Sequence, residues 1–566
     1  MSFQSAVQRS LQIPELQHKV FDLLAEDGKF ETLANAAVSC RFLHDGAVRS
    51  LWKEIPNLWV ISSFFPNGCF KNVDNWTVWD NNAFSTAGKF SVVKSPKDIS
   101  SGIARLARYT PLVKAIHFDP DARRWDYTAL HVMSDKGLLP FPLFPNVERV
   151  VLPLLFKRRF ETMFYPSFVI SPSVRSITVL TNEVFNIHGD DFAPNDPFAQ
   201  EDSQHSKALV NRLVVMAPYS TELIVKSTVP DWYEFHTPTS ALNSMFARLP
   251  ATSTIRVLDV THLAAKGSHL KELAKLPDLV DLKISLRGST LDDVEVLTPW
   301  DFRALVSVEI TSTSHTIDPC TRLFTSIRAP HLSDIKIHQN LCQNTDLDDL
   351  FLALSQCTPP EQVSSIFIDQ VSYNDNANGF SPHKYGFFTA FTPLAQFKNI
   401  KQLELSPFTV TPGLRDRALI AAFGCWPKLE RLHFRSDSIA ALTMPSLTLH
   451  GVYTAIRCCP RLSHITLPVA ATKVPALPVT PHPSLVSWNI CNSPITSGLA
   501  VGNWMKAAFP HLHEIQHFGF LRGCLRSFGM QTRYGGDMGR DILESMPEEV
   551  SMIVQWNDVA RIVRSP

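Results

Sequence analysis

This sequence has no excess of either charge. Lysine plus arginine and aspartate plus glutamate each number 53, so nothing global draws the chain to nucleic acid or to an anionic membrane. It has no uninterrupted apolar stretch approaching the roughly 20 residues a membrane helix needs. Its start, Met1-Ser2-Phe3-Gln4-Ser5, has neither a basic n-region nor an apolar h-region, so no signal peptide is expected. No Cys-x-x-Cys pair occurs among its 10 cysteines, which predicts reduced, mostly buried thiols and residence in the cytoplasm, the nucleus or both. No glycine-rich phosphate loop and no Gly-x-Ser-x-Gly elbow appears, and no cofactor is expected. With 45% apolar and 19% charged residues, the composition is that of a folded chain. At 566 residues it exceeds one compact core and must be elongated or split.

What is present is a returning phrase: proline, any residue, apolar, two residues, apolar, one residue, apolar. It reads Pro277-Asp278-Leu279-Val280-Asp281-Leu282-Lys283-Ile284 and Pro330-His331-Leu332-Ser333-Asp334-Ile335-Lys336-Ile337. It returns from Pro427 and Pro460, with further versions at Pro145, Pro172, Pro483 and Pro510. Copies without the proline lead with Ile255, Leu305 and Ile400. The steps from Ile255 to Leu279, Leu305 and Leu332 are 24, 26 and 27 residues. A period of that size means stacked units, none of which buries its apolar side alone. The last two apolar positions, two apart, share one face of a strand and point inward. Stretches such as Thr261 to Leu276 and Asp292 to Leu305 are long enough for a helix each. The fold class expected is therefore α/β: a leucine-rich-repeat solenoid with parallel strands on its concave side and helices outside. Two intervals, through His188–Gln204 and through Tyr373–Gly379, are too long for one unit and read as excursions.

Residues 7–55 read as three helices: one entered at Ile13-Pro14, a second over Leu33 to Val38, a third over Phe42 to Trp52. Residues 56–100 read as a junction covering the end of the stack, 101–520 as the solenoid, and 521–566 as a C-terminal cap or tail with a helix over Glu549 to Val563. Together Ile13-Pro14-Glu15-Leu16, Val20-Phe21, Leu23-Leu24, Thr32-Leu33, Val38-Ser39-Cys40-Arg41-Phe42 and Leu51-Trp52 resemble an F-box. Ile13 stands in place of the pattern's leading leucine, Leu43 stands at its tryptophan position, and Glu15 comes one place early. The match covers about a tenth of the chain, and an F-box followed by divergent repeats is similar to fungal F-box families. The resemblance implies a Skp-type adaptor and a cullin-RING ubiquitin ligase as partners, with a protein substrate held by the repeats. Carried over residue by residue, the adaptor-binding set is Ile13, Pro14, Leu16, Val20, Leu23, Leu24, Leu33 and Val38. Which of these face the adaptor and which fill the helical core is open at this point. The alternative is a non-catalytic repeat scaffold, its helices only capping the stack, with no link to ubiquitin.

The residues flanking the inward pairs are expected on the concave face and form the candidate substrate surface: Asp281, Lys283, Glu309, Asp334, Lys336, Glu404, Arg431, His433 and Arg435. Mixed signs suit a protein partner, because charges at such a face set specificity and arrival rate. A phosphate-tracking groove would be more uniformly basic. One motif points to catalysis. His513-Glu514-Ile515-Gln516-His517 matches the His-Glu-x-x-His pattern of zinc hydrolases, which works on a helix, where both imidazoles share a face. Here it falls in a repeat phrase expected as a strand, with Ile515 and His517 inward. No metal and no catalytic residue is expected.

Overall fold

The structure, a computed structural model, describes residues 13–55, 59–65, 70–72, 90–92, 96–117, 139, 142–154, 171–181, 220–227, 246, 249, 254–286, 291–292, 299–312, 314, 316–340, 347–371, 393–406, 415–434, 447–476, 480–491, 493–517 and 547–565. The expected excursions, Arg435 and the segment 518–546 lie outside the described residues. The chain divides into two compact units, Met1–Leu263 and Ala264–Pro566.

The first unit opens with three helices, α1 (Pro14–Glu26), α2 (Phe30–Ser39) and α3 (Arg41–Lys53). Pro14 sits in the first turn of α1, where its missing N–H costs nothing. Gly28, at φ +70°, turns the chain between α1 and α2. Phe21, Leu33, Ala37 and Ala47 form the core, with Leu24, Leu43, Val48 and Leu51 half-buried against it. Polar ties complete the unit: Gln17 donates to the Phe42 carbonyl (3.1 Å), and Ser50 and Lys53 both donate to Asp22 (2.9 and 2.8 Å). Burial raises the Asp22 pKa, but the hydrogen bonds from Lys53 and Ser50 outweigh it and hold the carboxyl below its ordinary range.

α3 runs directly into the first strand. Strands β1 (Glu54–Ile55), β2 (Ala115–His117), β3 (Arg149–Leu154), β4 (Ser176–Thr181), β5 (Glu222–Ser227) and β6 (Val257–Ala264) pair in parallel, each with the next. Ile55, Ile116, Val150, Ile177, Leu223 and Leu258 stand in one register row and are all buried. The Trp52 ring at the end of α3 stacks on Tyr109 (4.8 Å), which joins the helices to the first strands.

The second unit repeats the plan with β7 (Asp281–Leu286), β8 (Ser307–Ser312), β9 (Asp334–Asn340), β10 (Ser365–Val371), β11 (Gln402–Ser406), β12 (Arg431–Phe434), β13 (His464–Thr466), β14 (Ser487–Asn489) and β15 (Glu514–Gln516). Leu282, Val308, Ile335, Ile366, Leu403, Leu432, Ile465, Trp488 and Ile515 form its inward row. The leading positions Leu279, Leu305, Leu332, Val363, Ile400, Leu429, Leu462, Leu485 and Leu512 are all buried. The period thus continues through Val363, a rung whose prolines are displaced to Pro359 and Pro360. In the first unit it extends to Val113 and to Ser220, a serine in the leading position that is itself buried.

Rungs are also tied at strand entry. The N–H groups of Glu430 and Arg431 both donate to the Lys401 carbonyl, and those of Ser463 and His464 both donate to Glu430. The same doubling links Ser333 and Asp334 to Val306, and Ser364 and Ser365 to Ser333. It recurs at Lys401 and Gln402, at Val486 and Ser487, and at His513 and Glu514. This ladder satisfies buried backbone groups without side chains.

Helices return the chain behind the strands: α4 (Gly267–Leu273), α5 (Asp318–Ser326), α6 (Leu347–Cys357), α7 (Asp416–Gly424), α8 (Leu449–Ile456) and α9 (Gly498–Ala508). Each buries one face, as with Leu323 and Phe324, Phe351 and Leu354, or Val452 and Ile456. Between Asp292 and Leu305, where a helix is expected from length, the described residues hold instead the short strand Trp300–Asp301, paired in parallel with Ile327–Arg328. A last helix, α10 (Pro547–Arg564), lies against α9 and buries Trp556, Val559 and Val563; the Trp556 indole donates to the Ser493 carbonyl at 2.8 Å. No helix among the described residues is long and apolar enough to cross a membrane.

Candidate partner-binding surfaces

The first surface is on the N-terminal helices. Ile13, Leu16, Val20 and Leu23 recur at steps of 3, 4 and 3 along α1, so they share one helical face. All four are exposed, Leu23 by 53%. Val38 at the end of α2 (84%), Phe30 at its start and Phe42 in α3 are exposed as well. Pro14 is also exposed. The opposite side of α1, with Gln17 and Phe21, faces the core. The structure divides the adaptor set accordingly. Leu33 is fully buried and belongs to the core, because it sits on the α2 face turned toward Phe21 and Ala47, and Leu24 is half-buried against that core. Leu33 is closed to a partner as placed, and Leu24 offers only part of its side chain. Phe30 joins the exposed apolar side chains, although no pattern in the sequence marks it.

The second surface is the outward side of the second unit's strands. Strand alternation puts Asp281, Ser307, Asp334, Ser365, Gln402, Arg431, His464, Ser487 and Glu514 in one register row. Lys283, Glu309, Lys336, Phe367, Glu404, His433, Thr466, Asn489 and Gln516 form the next. The expected candidate residues thus lie side by side on neighbouring rungs, Arg435 being outside the described residues. Phe367 and Asp369, on the rung that the proline pattern skips, join them; the Phe367 ring lies 5.3 Å from that of His338.

Ion pairs run across this face: Lys283 Nζ to Glu309 Oε2 at 3.1 Å, His338 Nε2 to Glu309 Oε1 at 3.7 Å, and His433 Nε2 to Glu404 Oε1 at 3.8 Å. Ser333 donates to Asp334 at 2.8 Å. Lys336 and Arg431 are exposed. Hydrogen bonds from Gln516 and Ser487 hold the Glu514 carboxyl below its ordinary range.

The His513-Glu514-Ile515-Gln516-His517 motif spans a turn and the strand β15, not a helix. His513 is exposed, with Nδ1 3.2 Å from the His511 carbonyl. His517 is buried, its Nε2 3.1 Å from Asn557 Oδ1 on α10. The shared helical face that the zinc pattern requires is missing. Among the described residues no group of three or more His, Cys, Asp and Glu side chains is placed to hold a metal ion. Burial pushes the thiols of Cys357 and Cys459 up to about 12, which leaves them protonated and unreactive near neutral pH.

No family model matches this chain, and no curated protein matches it. Solved structures with some likeness include the internalin inlF of Listeria monocytogenes, at 12% identity over 68% of this chain and 76% of that one, with a TM-score of 0.31. TLR13, solved with ssRNA13, is similar at 11% identity over 73% of this chain, with a TM-score of 0.38. The Toll–Spatzle complex of Drosophila gives 12% identity over 72%, with a TM-score of 0.34. The matched regions span 51% and 43% of those last two chains.

Proposed function

We propose that this chain is the substrate-recognition subunit of a Skp–cullin–F-box ubiquitin ligase, docking the adaptor through α1–α3 and a protein substrate through the open strand face. The observation that carries the reading is the apolar face of Ile13, Leu16, Val20 and Leu23, left bare on a unit whose core is filled without it. Covering the exposed half of one such side chain contributes roughly 1 kcal/mol, so a partner seated on several of them gains enough to offset part of the cost of association. The residues on that face are those that resemble the F-box pattern. In this role the chain does no chemistry; it raises the effective concentration of a tethered protein near the transferring enzyme.

The test is capture of a purified Skp-type adaptor by the full-length chain. The double substitution Leu16→Asp and Val20→Asp is expected to abolish capture while lowering the melting temperature only slightly, since both side chains are partly exposed and neither belongs to the helical core. A wild-type chain that captures no adaptor, or a double variant that captures it equally well, overturns the assignment.

A further inference from the structure

Charge on the second unit is segregated along the edge where the chain enters its strands. At β11, the entry residues are Lys398, Asn399, Ile400, Lys401 and Gln402; at β12, Pro427, Lys428, Leu429, Glu430 and Arg431; at β13, Pro460, Arg461, Leu462, Ser463 and His464. Lys398, Lys401, Lys428, Arg431 and Arg461 are all exposed, and none is in an ion pair among the described residues. Glu430 is the one carboxylate at these positions, and it is half-buried. At the corresponding positions of β7 and β9 stand Asp278, Asp281 and Asp334 with no lysine or arginine, and the arginine preceding β8, Arg303, is held by Asp301 at 3.0 Å. The edge therefore passes from acidic to basic within one sheet, in a chain whose formal charge sums to zero.

Geometry brings the basic groups together. The entry ladder sets Arg431 beside Lys401, and Gln402, Arg431 and His464 are register partners. Neighbouring strands lie about 4.8 Å apart, so three rungs gather five cations within about 10 Å along the stack, plus side-chain reach. Like charges this close repel in the free protein, and an anion laid across them removes that repulsion.

We infer that this basic edge, on β11, β12 and β13, binds an acidic segment of a protein partner. It deepens the reading of the strand face as the partner-binding surface and does not depend on the adaptor. A protein segment fits better than a nucleic acid for two reasons. Among the described residues, the large aromatic side chains of these rungs, Phe397, Trp426 and Phe434, are all buried and only the half-buried Phe367 lies on the neighbouring rung, so no row of rings is offered on which successive bases could stack. The strip is also short and bounded by Glu404 on the next row and Glu514 beyond, which penalise a polyanion running past it but not a few carboxylates set among other residues. The acidic end of the same edge favours one direction of the bound segment, a source of specificity that uniform basicity lacks.

The experiment uses the full-length chain and a fluorescein-labelled oligoglutamate peptide, read by anisotropy, with oligoglutamine, oligo-dT and phosphatidylserine vesicles as comparisons. Oligoglutamate is expected to bind, more weakly as ionic strength rises, and to bind better than the other three. The double substitution Lys401→Glu and Arg431→Glu should weaken it by about tenfold or more, whereas Lys473→Glu, an exposed lysine past the far end of β13, should leave it unchanged. Lys401→Gln with Arg431→Gln should give an intermediate loss, and it stands in if the reversed variant melts early. Adaptor capture measured on the same proteins should stay at the wild-type level, so failure there condemns the ligase assignment and leaves the peptide result to stand by itself. Equal peptide binding by wild type and edge variants, or preference for oligo-dT or vesicles lost with the same substitutions, overturns the inference.

Discussion

Single buried groups set the response of this protein to acid. His482, with Nε2 3.1 Å from the Cys459 carbonyl, and His517, bonded to Asn557, are both buried, and burial lowers both pKa values below the ordinary 6.5. The folded state favours neutral rings, while the unfolded chain takes up protons once the pH falls below about 6.5. Their contribution is therefore complete above that pH and is lost as the pH drops toward the lowered values. Thermal melts at about pH 7.5 and about pH 5.5 should show a lower midpoint in acid, and substituting both histidines by glutamine should shrink the difference; an equal shift in that variant refutes the account. The inward place of His517 was legible from strand alternation, whereas His482 read only as one among 20 histidines. Gln339 was equally opaque. It takes an inward position on β9, buried, and its side-chain amide has no hydrogen-bond partner among the described residues, a polar group on a face that alternation assigns to apolar ones.

Elements were the most legible level, for a reason their residues make plain. Where proline ends the preceding helix and three apolar residues follow at fixed spacing, as at Pro277, Pro330, Pro427 and Pro460, the strand and its inward side follow from alternation alone. The rung led by Val363 escaped because its prolines, Pro359 and Pro360, lie four and three residues ahead instead of two, and the rung led by Ser220 because a serine stands where the pattern asks for an apolar group. The three N-terminal helices were readable from their periodicity, but not their two faces. α1 carries apolar residues on both sides, Phe21 and Leu24 inward and Leu16, Val20 and Leu23 outward, so periodicity alone could not tell core from contact. A substitution pair separates them. Leu33→Ala removes a fully buried side chain and should destabilise the helical unit by about 2–5 kcal/mol, whereas Leu16→Ala should change stability by no more than about 0.5 kcal/mol. Chemical denaturation followed at the helical unit checks both; comparable losses would contradict the division of faces.

The molecule as a whole should not unfold as one body. Each compact unit has its own inward rows, and a stack held by neighbour-to-neighbour contacts has stability that is roughly a sum of local terms. The fully buried tryptophans Trp426, Trp488, Trp504 and Trp556 all belong to the second unit. Six of the 11 tryptophans lie in the first unit, Trp52 among them, so tryptophan fluorescence and far-ultraviolet circular dichroism both sample the two units, but with different weights. Urea titrations followed by the two signals are expected to give different midpoints or slopes; superimposable curves would mean a single cooperative transition. The double donation at strand entry carries a further consequence. It links rung to rung through main-chain atoms, so the coil does not depend on the amino acids presented on the open side, whose cross-rung ion pairs are exposed and add little. Each can be exchanged at little thermodynamic cost, and the specificity of such a protein is free to drift over generations while its architecture stays put.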